Sequence, residues 1–325
     1  MKVLHITNNY PSAKNPAFGS FVRSQVASLE AIGVTCVVFK VDGRGSFWRY
    51  LWAWIRLLFH LLTHRYDVLH CHHALTGILL CLTGAPLFSR CVLSYQNSPD
   101  KEWGSRTFHL LYPFFRRIIL KAQDDDYMDY DKVRVIPNGC SEALFHPLDK
   151  KECREKLGLD ADAYYALFID VNERRAAKKR SQKRKDRFDV ALVRLCERLH
   201  APVVPLVLQN EEPERMPLWY NAADVYLLTS DYEGSSNAVK ECLMCNVPVV
   251  ATPVGDLPYI AKYCPDCHVI QSFDADALAQ KAWEVMTGIV VKEDSLSSHD
   301  ALLKLGYGLE DTARNILKTY REARQ

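Results

Sequence analysis

Short apolar runs recur along this chain, and most of them are separated by segments of helix length. Residues 3–7 (VLHIT), 36–41 (CVVFKV), 67–73 (DVLHCHH) and 90–97 (RCVLSYQN) form one such series. Residues 132–140 add a strand running into a turn. A second series follows at 165–171, 201–209, 223–230 and 247–253. Strands read as near-continuous apolar runs when helices cover both faces of a parallel sheet, because parallel neighbours need a crossover connection. The intervening segments 21–33, 47–63, 74–83, 150–159 and 188–199 have helical patterning. The expected fold is therefore α/β: two Rossmann-like domains, each a parallel sheet flanked by helices, with a cleft between them. The expected boundaries are residues 1–143 for the first domain and 144–306 for the second. Residues 307–325 form a last helix that can pack back on the first.

The chain has 325 residues, 48% of them hydrophobic, which is enough for two cores. A net charge of +2 points to neither nucleic acid nor an acidic partner. The eleven cysteines are scattered and odd in number, and the first residues, MKVLHITNNYP, lack a basic-then-apolar leader. Both features fit free thiols in a reducing cytoplasm. No run of eighteen apolar residues marks a membrane span.

The densest chemistry lies in DYEGSSNAVKECLMCNVPVVATPVGD, residues 231–256. Glu233 and Glu241 stand eight residues apart, with Gly234, Ser235, Ser236 and Asn237 after the first. The order describes a loop at the carboxyl end of a buried strand, feeding a helix N-terminus. Such a terminus presents backbone N–H groups and positive dipole to an anion. Gly234 allows the tight turn, and the hydroxyl and amide side chains can cap the helix or donate to a ligand. Eight residues are a little over two helical turns, so the carboxylates can hold two parts of one ligand.

This passage resembles the nucleotide-sugar site of retaining glycosyltransferases of family 4, which have the GT-B fold. The resemblance extends to NPAFGSFVRSQVASL (15–29), VIPNG (135–139) and PVVATPVGDLPYI (248–260). It implies that Glu233 contacts the donor sugar, that Glu241 holds the ribose, and that Gly234, Ser235, Ser236 and Asn237 meet the distal phosphate. It assigns Gly19 to close approach of the donor diphosphate to the backbone, with Phe18 and Ser20 shaping that loop. It implies transfer of a hexosyl group from a nucleoside-diphosphate sugar to an acceptor hydroxyl, with retention and without a metal or other cofactor. Surface polysaccharide or glycolipid assembly on the cytosolic side of a membrane is the implied setting.

The sequence departs from the family pattern in three places. Relatives carry an arginine and, five residues on, a lysine after the first strand of the second domain. Here residues 173–187 hold nine basic residues. Arg180 and Lys185 have the right spacing, and a shifted gap selects Lys183 or Arg187. Their role would be to neutralise the leaving diphosphate. Gln96 stands where relatives often have histidine, and it hydrogen-bonds without charge. His72 is the other acceptor-side candidate, weighed against a packed core histidine. Third, only AQDDDYMDYD separates the helix expected to end near Lys121 from VIPNG, so the first domain reads as shortened.

Other readings remain. Residues 47–62 and 106–121 combine aromatic residues with arginines, which fits helices at a membrane surface or helices packed on the sheet. The basic run fits a solvated loop or, less well, a nucleic-acid patch, since it lacks interleaved aromatics. Cys242 with Cys245, and Cys264 with Cys267, make two Cys-x-x-Cys pairs, but a buried strand between them favours packed thiols over zinc. A catalytically inactive relative is the remaining alternative.

Overall fold

The computed structural model describes residues 1–12, 15, 18–42, 46–170, 182–289 and 296–325. The chain forms two compact units. The first comprises Met1–Ala13, Phe18–Gly139 and Leu309–Gln325, and the second comprises Lys14–Ala17 and Cys140–Gly308.

In the first unit the order is β1 (Lys2–Thr7), α1 (Ser20–Ala31), β2 (Thr35–Lys40), α2 (Phe47–Thr63), β3 (Val68–His72) and α3 (Ala74–Cys81). Then come β4 (Cys91–Ser94), α4 (Pro99–Glu102), α5 (Ser105–Leu111), β5 (Arg117–Leu120) and β6 (Val133–Val135). The strands pair in parallel in the order β2-β1-β3-β4-β5-β6. Alternation along each strand divides the side chains between two layers. Leu4, Ile6, Leu69, Cys71 and Leu93 pack with Ala53, Leu57, Leu80 and Phe108 of α2, α3 and α5. Val3, Val68, Val92 and Ile119 pack on the other face with Leu29 of α1.

The second unit runs α6 (Lys150–Leu157), β7 (Tyr164–Asp170), α7 (Lys185–Leu199), β8 (Val203–Gln209), α8 (Met216–Ala222), β9 (Val225–Leu228) and α9 (Asn237–Met244). It continues with β10 (Val249–Ala251), α10 (Leu257–Ile260), β11 (Cys267–Val269), α11 (Ala275–Met286) and α12 (Ser298–Lys304). Its parallel sheet has the order β11-β10-β9-β7-β8. The final helix, α13 (Leu309–Arg324), belongs to the first unit. Ala313, Ile316, Tyr320 and Ala323 form a helical stripe that completes the layer beside α1. Glu322 on the same helix meets Arg117 at 3.0 Å and Arg134 at 2.9 Å.

In each sheet the strand order reverses direction once, between β1 and β3 and between β7 and β9. Ligands of open parallel sheets bind at the carboxyl ends of strands flanking such a point. The loop holding Glu233 follows β9, and residues 182–187 enter the first turn of α7 after β7.

Two expectations need correction. Residues 106–121 are not one amphipathic helix: α5 ends at Leu111, Pro113 lies in a single 3-10 turn, and Arg117–Leu120 is a strand of the sheet. Proline cannot continue the helical hydrogen bonding, and Ile118, Ile119 and Leu120 are buried between the two layers. The first sheet therefore has its strand between β4 and β6, while the segment from that strand to β6 holds a single 3-10 turn (Asp125–Tyr127) and no α-helix, so the shortening concerns the helix alone.

Candidate donor and acceptor sites

In the second unit, β9 delivers the chain into Thr229–Gly234, and three sets of contacts fix that loop. Thr229 Oγ1 donates to the Lys183 carbonyl at 2.7 Å, and the Asp231 N–H donates to the Gln182 carbonyl at 3.0 Å. Gln182 Nε2 donates to the Tyr232 carbonyl at 2.6 Å. Arg187, buried at the start of α7, donates to the Thr229 carbonyl at 2.5 Å and to Asp231 at 2.8 Å. The segment after β7 and the loop after β9 are thus stitched side by side.

That stitching delivers Lys183 to Glu233. The ammonium lies 2.7 Å from Glu233 Oε1, which also accepts from Ser230 Oγ at 2.7 Å. Both side chains are largely buried, so their interaction is less screened than a surface pair. Lys185 is placed differently from the expectation. It opens α7 and turns outward to Asp189 on the same helix, 2.6 Å away. The left-handed backbone at Arg184 (φ 54°) separates the two lysines and sends them to different sides. Arg180 lies outside the described residues, as does most of the basic run; of its described members, Arg184 and Arg187 both meet Asp231 at 2.8 Å.

Past Glu233, the loop closes against the loop that follows β10. Gly255 has φ 57°, and a Cβ built there would lie 2.2 Å from the Gly234 carbonyl oxygen. Only glycine fits that approach without moving backbone. The Asp256 N–H donates to the same carbonyl at 3.2 Å. Ser235 is tied into this junction rather than turned outward. Its hydroxyl donates to Asp256 Oδ2 at 2.6 Å and accepts from the fully buried Lys240 ammonium at 2.7 Å. The hydroxyl expected at the phosphate thus has two internal partners. Burial pushes the Lys240 ammonium down and the Asp256 carboxyl up, while their mutual attraction opposes both shifts.

The N-terminus of α9 emerges from this rigid loop. Ser236 occupies the cap position without a side-chain hydrogen bond to the helix, and no acidic residue lies in the first turn. Asn237 Oδ1 is buried without a hydrogen-bond partner. The first turn therefore offers backbone N–H groups and dipole to an anion. About one turn on, Glu241 Oε2 accepts from the buried Tyr220 hydroxyl at 2.7 Å, and burial raises its carboxyl above the ordinary glutamate range. Cys242, Cys245, Cys264 and Cys267 are core residues packed among the neighbouring apolar side chains. Burial pushes the Cys245 and Cys264 thiols up to about 12.

In the first unit, Gly19 caps α1 with φ 70°, and a Cβ there would meet the Asn9 carbonyl at 2.4 Å. His72 lies inside the sheet layer, 1% exposed. Its Nε2 is 3.0 Å from His5 Nδ1, while His70 reaches Tyr320 at 2.6 Å and Ser94 at 2.7 Å. Burial holds all three rings well below the usual histidine range, His5 at about 3, and the positive charge of Lys121 adds to this for His70 and His72. These are neutral, packed histidines. Their ring nitrogens lie within 4.8 Å of one another, a spacing a metal could use. The hydrogen bond between His5 and His72 and the nearby lysine charge oppose that use, and no partner orients His5 Nε2 or His72 Nδ1.

Gln96 follows β4, and both polar atoms of its side chain are buried without a hydrogen-bond partner. A residue overlooked in the sequence holds it. The Glu102 carboxylate, with its side chain 2% exposed, accepts from the backbone N–H groups of Gln96, of Asn97 at 3.1 Å and of Ala74 at 3.1 Å. It also lies 3.6 Å from His73 Nε2, a residue with φ 110°. One carboxylate thus joins the turns that follow β3 and β4. Its only sequence signal is an acid just after the proline that opens a short helix.

Residues 190–287 match the family described as Glycosyl transferases group 1. A D-inositol 3-phosphate glycosyltransferase of Pseudarthrobacter chlorophenolicus is 26% identical over 235 residues, 59% of this chain and 56% of that protein. The chain thus spans a little over half the length of that relative. A sucrose-phosphate synthase of Thermosynechococcus elongatus superposes with a TM-score of 0.73 at 15% identity, over 98% of each chain. Anabaena HepE, solved with UDP and glucose, superposes with a TM-score of 0.69 at 14% identity, over 98% of this chain and 99% of that one. These likenesses show the fold: two parallel sheets flanked by helices, the GT-B fold.

Proposed function

We propose that this chain is a retaining, metal-independent glycosyltransferase of the family 4 type. It moves a hexosyl group from a nucleoside-diphosphate sugar to an acceptor hydroxyl. The observation that carries the reading is the Lys183–Glu233 pair beside the N-terminus of α9, with Glu241 about one turn along that helix. Transfer of a glycosyl group releases a nucleoside diphosphate, so negative charge grows on the leaving oxygen. A lysine and a helix N-terminus fixed before the reaction stabilise that charge without reorganising. Glu233 would accept from donor-sugar hydroxyls, and Glu241 from the ribose.

The matched family and the relative's name support glycosyl transfer. The UDP and glucose bound in Anabaena HepE support a nucleotide-sugar donor. The first unit would receive a carbohydrate or lipid-linked acceptor near Gln96, in surface polysaccharide or glycolipid assembly on the cytosolic face of a membrane. The test is product analysis with UDP-, GDP- and ADP-hexoses and the wild-type, Glu233→Gln and Lys183→Met proteins. Consumption of one donor by the wild type, lost in both variants, supports the reading. Equal consumption by all three proteins contradicts it.

A further inference from the structure

Helix α2 packs with its aromatic side outward. Only Ala53 and Leu57 are buried, whereas Trp48, Trp52, Phe59 and Leu62 are 74, 62, 63 and 68% exposed. Their spacing of four, seven and three residues places them along one stripe. Helix α2 touches α3, and just beyond α3 Leu82 and Phe88 are exposed as well, Phe88 by 89%. Soluble proteins rarely leave a continuous apolar patch of this kind bare.

Charge selects the occupant. Helices α2, α3 and α5 contain no aspartate or glutamate. Between Ser46 and Asn97 the one acidic residue is Asp67, which accepts from the Lys2 N–H at 2.8 Å and pairs with Arg324 at 3.6 Å. Arg49, Arg56 and Arg90 are exposed around the patch. A second copy docking by twofold symmetry would bring one arginine-bearing patch against another with no carboxylate on either. An anionic bilayer meets both features: tryptophan rings lie at the headgroup level, and arginines reach the phosphates on either side. No helix among the described residues is long and apolar enough to cross a membrane.

We infer that the outer side of α2, with Leu82 and Phe88, is a docking surface for an anionic membrane, and that α2 lies flat in its interface. Residues 117–120, part of the segment 106–121 that fits a membrane-surface or a sheet-packed helix by sequence, take no part because they are a strand of the sheet. The whole chain would be sedimented with phosphatidylcholine vesicles and with phosphatidylcholine vesicles containing phosphatidylglycerol. The wild type should bind the second and shift its tryptophan emission to the blue. Trp52→Ser/Phe59→Ser should weaken binding about tenfold or more, given the apolar area removed. Leu82→Ser/Phe88→Ser, on a separate element, should act in the same direction if the first variant is poorly folded. Arg49→Gln/Arg56→Gln should reduce the preference for phosphatidylglycerol. Absence of wild-type binding, equal binding to both vesicles, or a dimer abolished by the same variants would overturn the inference. Nucleotide-induced stabilisation of the same samples tests glycosyl transfer separately.

Discussion

Lys183 donates to Glu233 across 2.7 Å between the segment after β7 and the loop after β9. Ser230 donates to the same carboxylate oxygen at 2.7 Å, so the glutamate is fixed before any ligand arrives. If Lys183 stabilises the leaving diphosphate, Lys183→Met should lower kcat by about a hundredfold to a thousandfold. Lys185→Met should change kcat by less than about threefold, because its ammonium is occupied on the outer side of α7. Steady-state kinetics of the two variants check this, and the reverse ranking would move the role to Lys185.

The pH dependence of nucleotide binding follows from Glu241. Burial raises its carboxyl, so acidification protonates it sooner than an ordinary glutamate. The ionised form accepts the ribose hydroxyls. Nucleotide affinity should therefore be full above the raised value and fall as pH drops through it, while Glu241→Gln shows a weaker, flat profile. Stability has the opposite sign: the contribution of a raised carboxyl is present below the unfolded value and is lost as pH rises through the folded one. Glu241→Gln should thus melt higher than wild type at neutral pH. Calorimetric titration and thermal melts across pH measure both.

Gly255→Ala probes how tightly the donor loop is built. The added methyl meets the Gly234 carbonyl oxygen at 2.2 Å, at a backbone conformation that alanine disfavours. Loss of about 2 kcal/mol or more is expected in urea unfolding, together with weaker nucleotide binding. Gly33→Ala, with open space around its Cβ and φ 85°, should lose about 1 kcal/mol and leave nucleotide binding unchanged.

Glu102→Gln should separate the two substrates. The amide group cannot accept from all three backbone N–H groups that the carboxylate serves, so about 1–3 kcal/mol of stability is lost. The turns after β3 and β4 then loosen, and KM for the acceptor should rise several-fold. Nucleotide-induced stabilisation should be unchanged, because Lys183, Glu233 and Glu241 belong to the second unit. A change confined to stability would leave Glu102 a structural residue only.

Local patterning was enough for nine of the eleven strands, all but β5 and β11, for the loop carrying Glu233 and for the helix carrying Glu241, because buried strands and helix starts announce themselves in residue order. Strand β5 escaped notice because Arg116 and Arg117 precede only three apolar residues, and the helix of Phe108 and Leu111 seemed to run on into them. The fate of a polar side chain is set by partners distant in sequence. The hydroxyl of Ser235, read as a donor to phosphate, also serves Asp256 and Lys240, 21 and five residues on. His72 looks like a site histidine until His5 is placed beside it on the neighbouring strand. The choice between Lys183 and Lys185 depends on a left-handed residue, Arg184, for which the sequence carries no glycine to mark the turn.

The most direct measurement is the melting temperature of the wild type and of Glu241→Ala with UDP, GDP and ADP. A ligand at about a hundred times its Kd adds about 2.7 kcal/mol to the folded state, a shift of several degrees for a domain of this size. The account predicts that one of the three nucleotides raises the wild-type melting temperature and that the shift disappears in Glu241→Ala. No shift with any of them, or an undiminished shift in the variant, would contradict a nucleotide-sugar site built on α9.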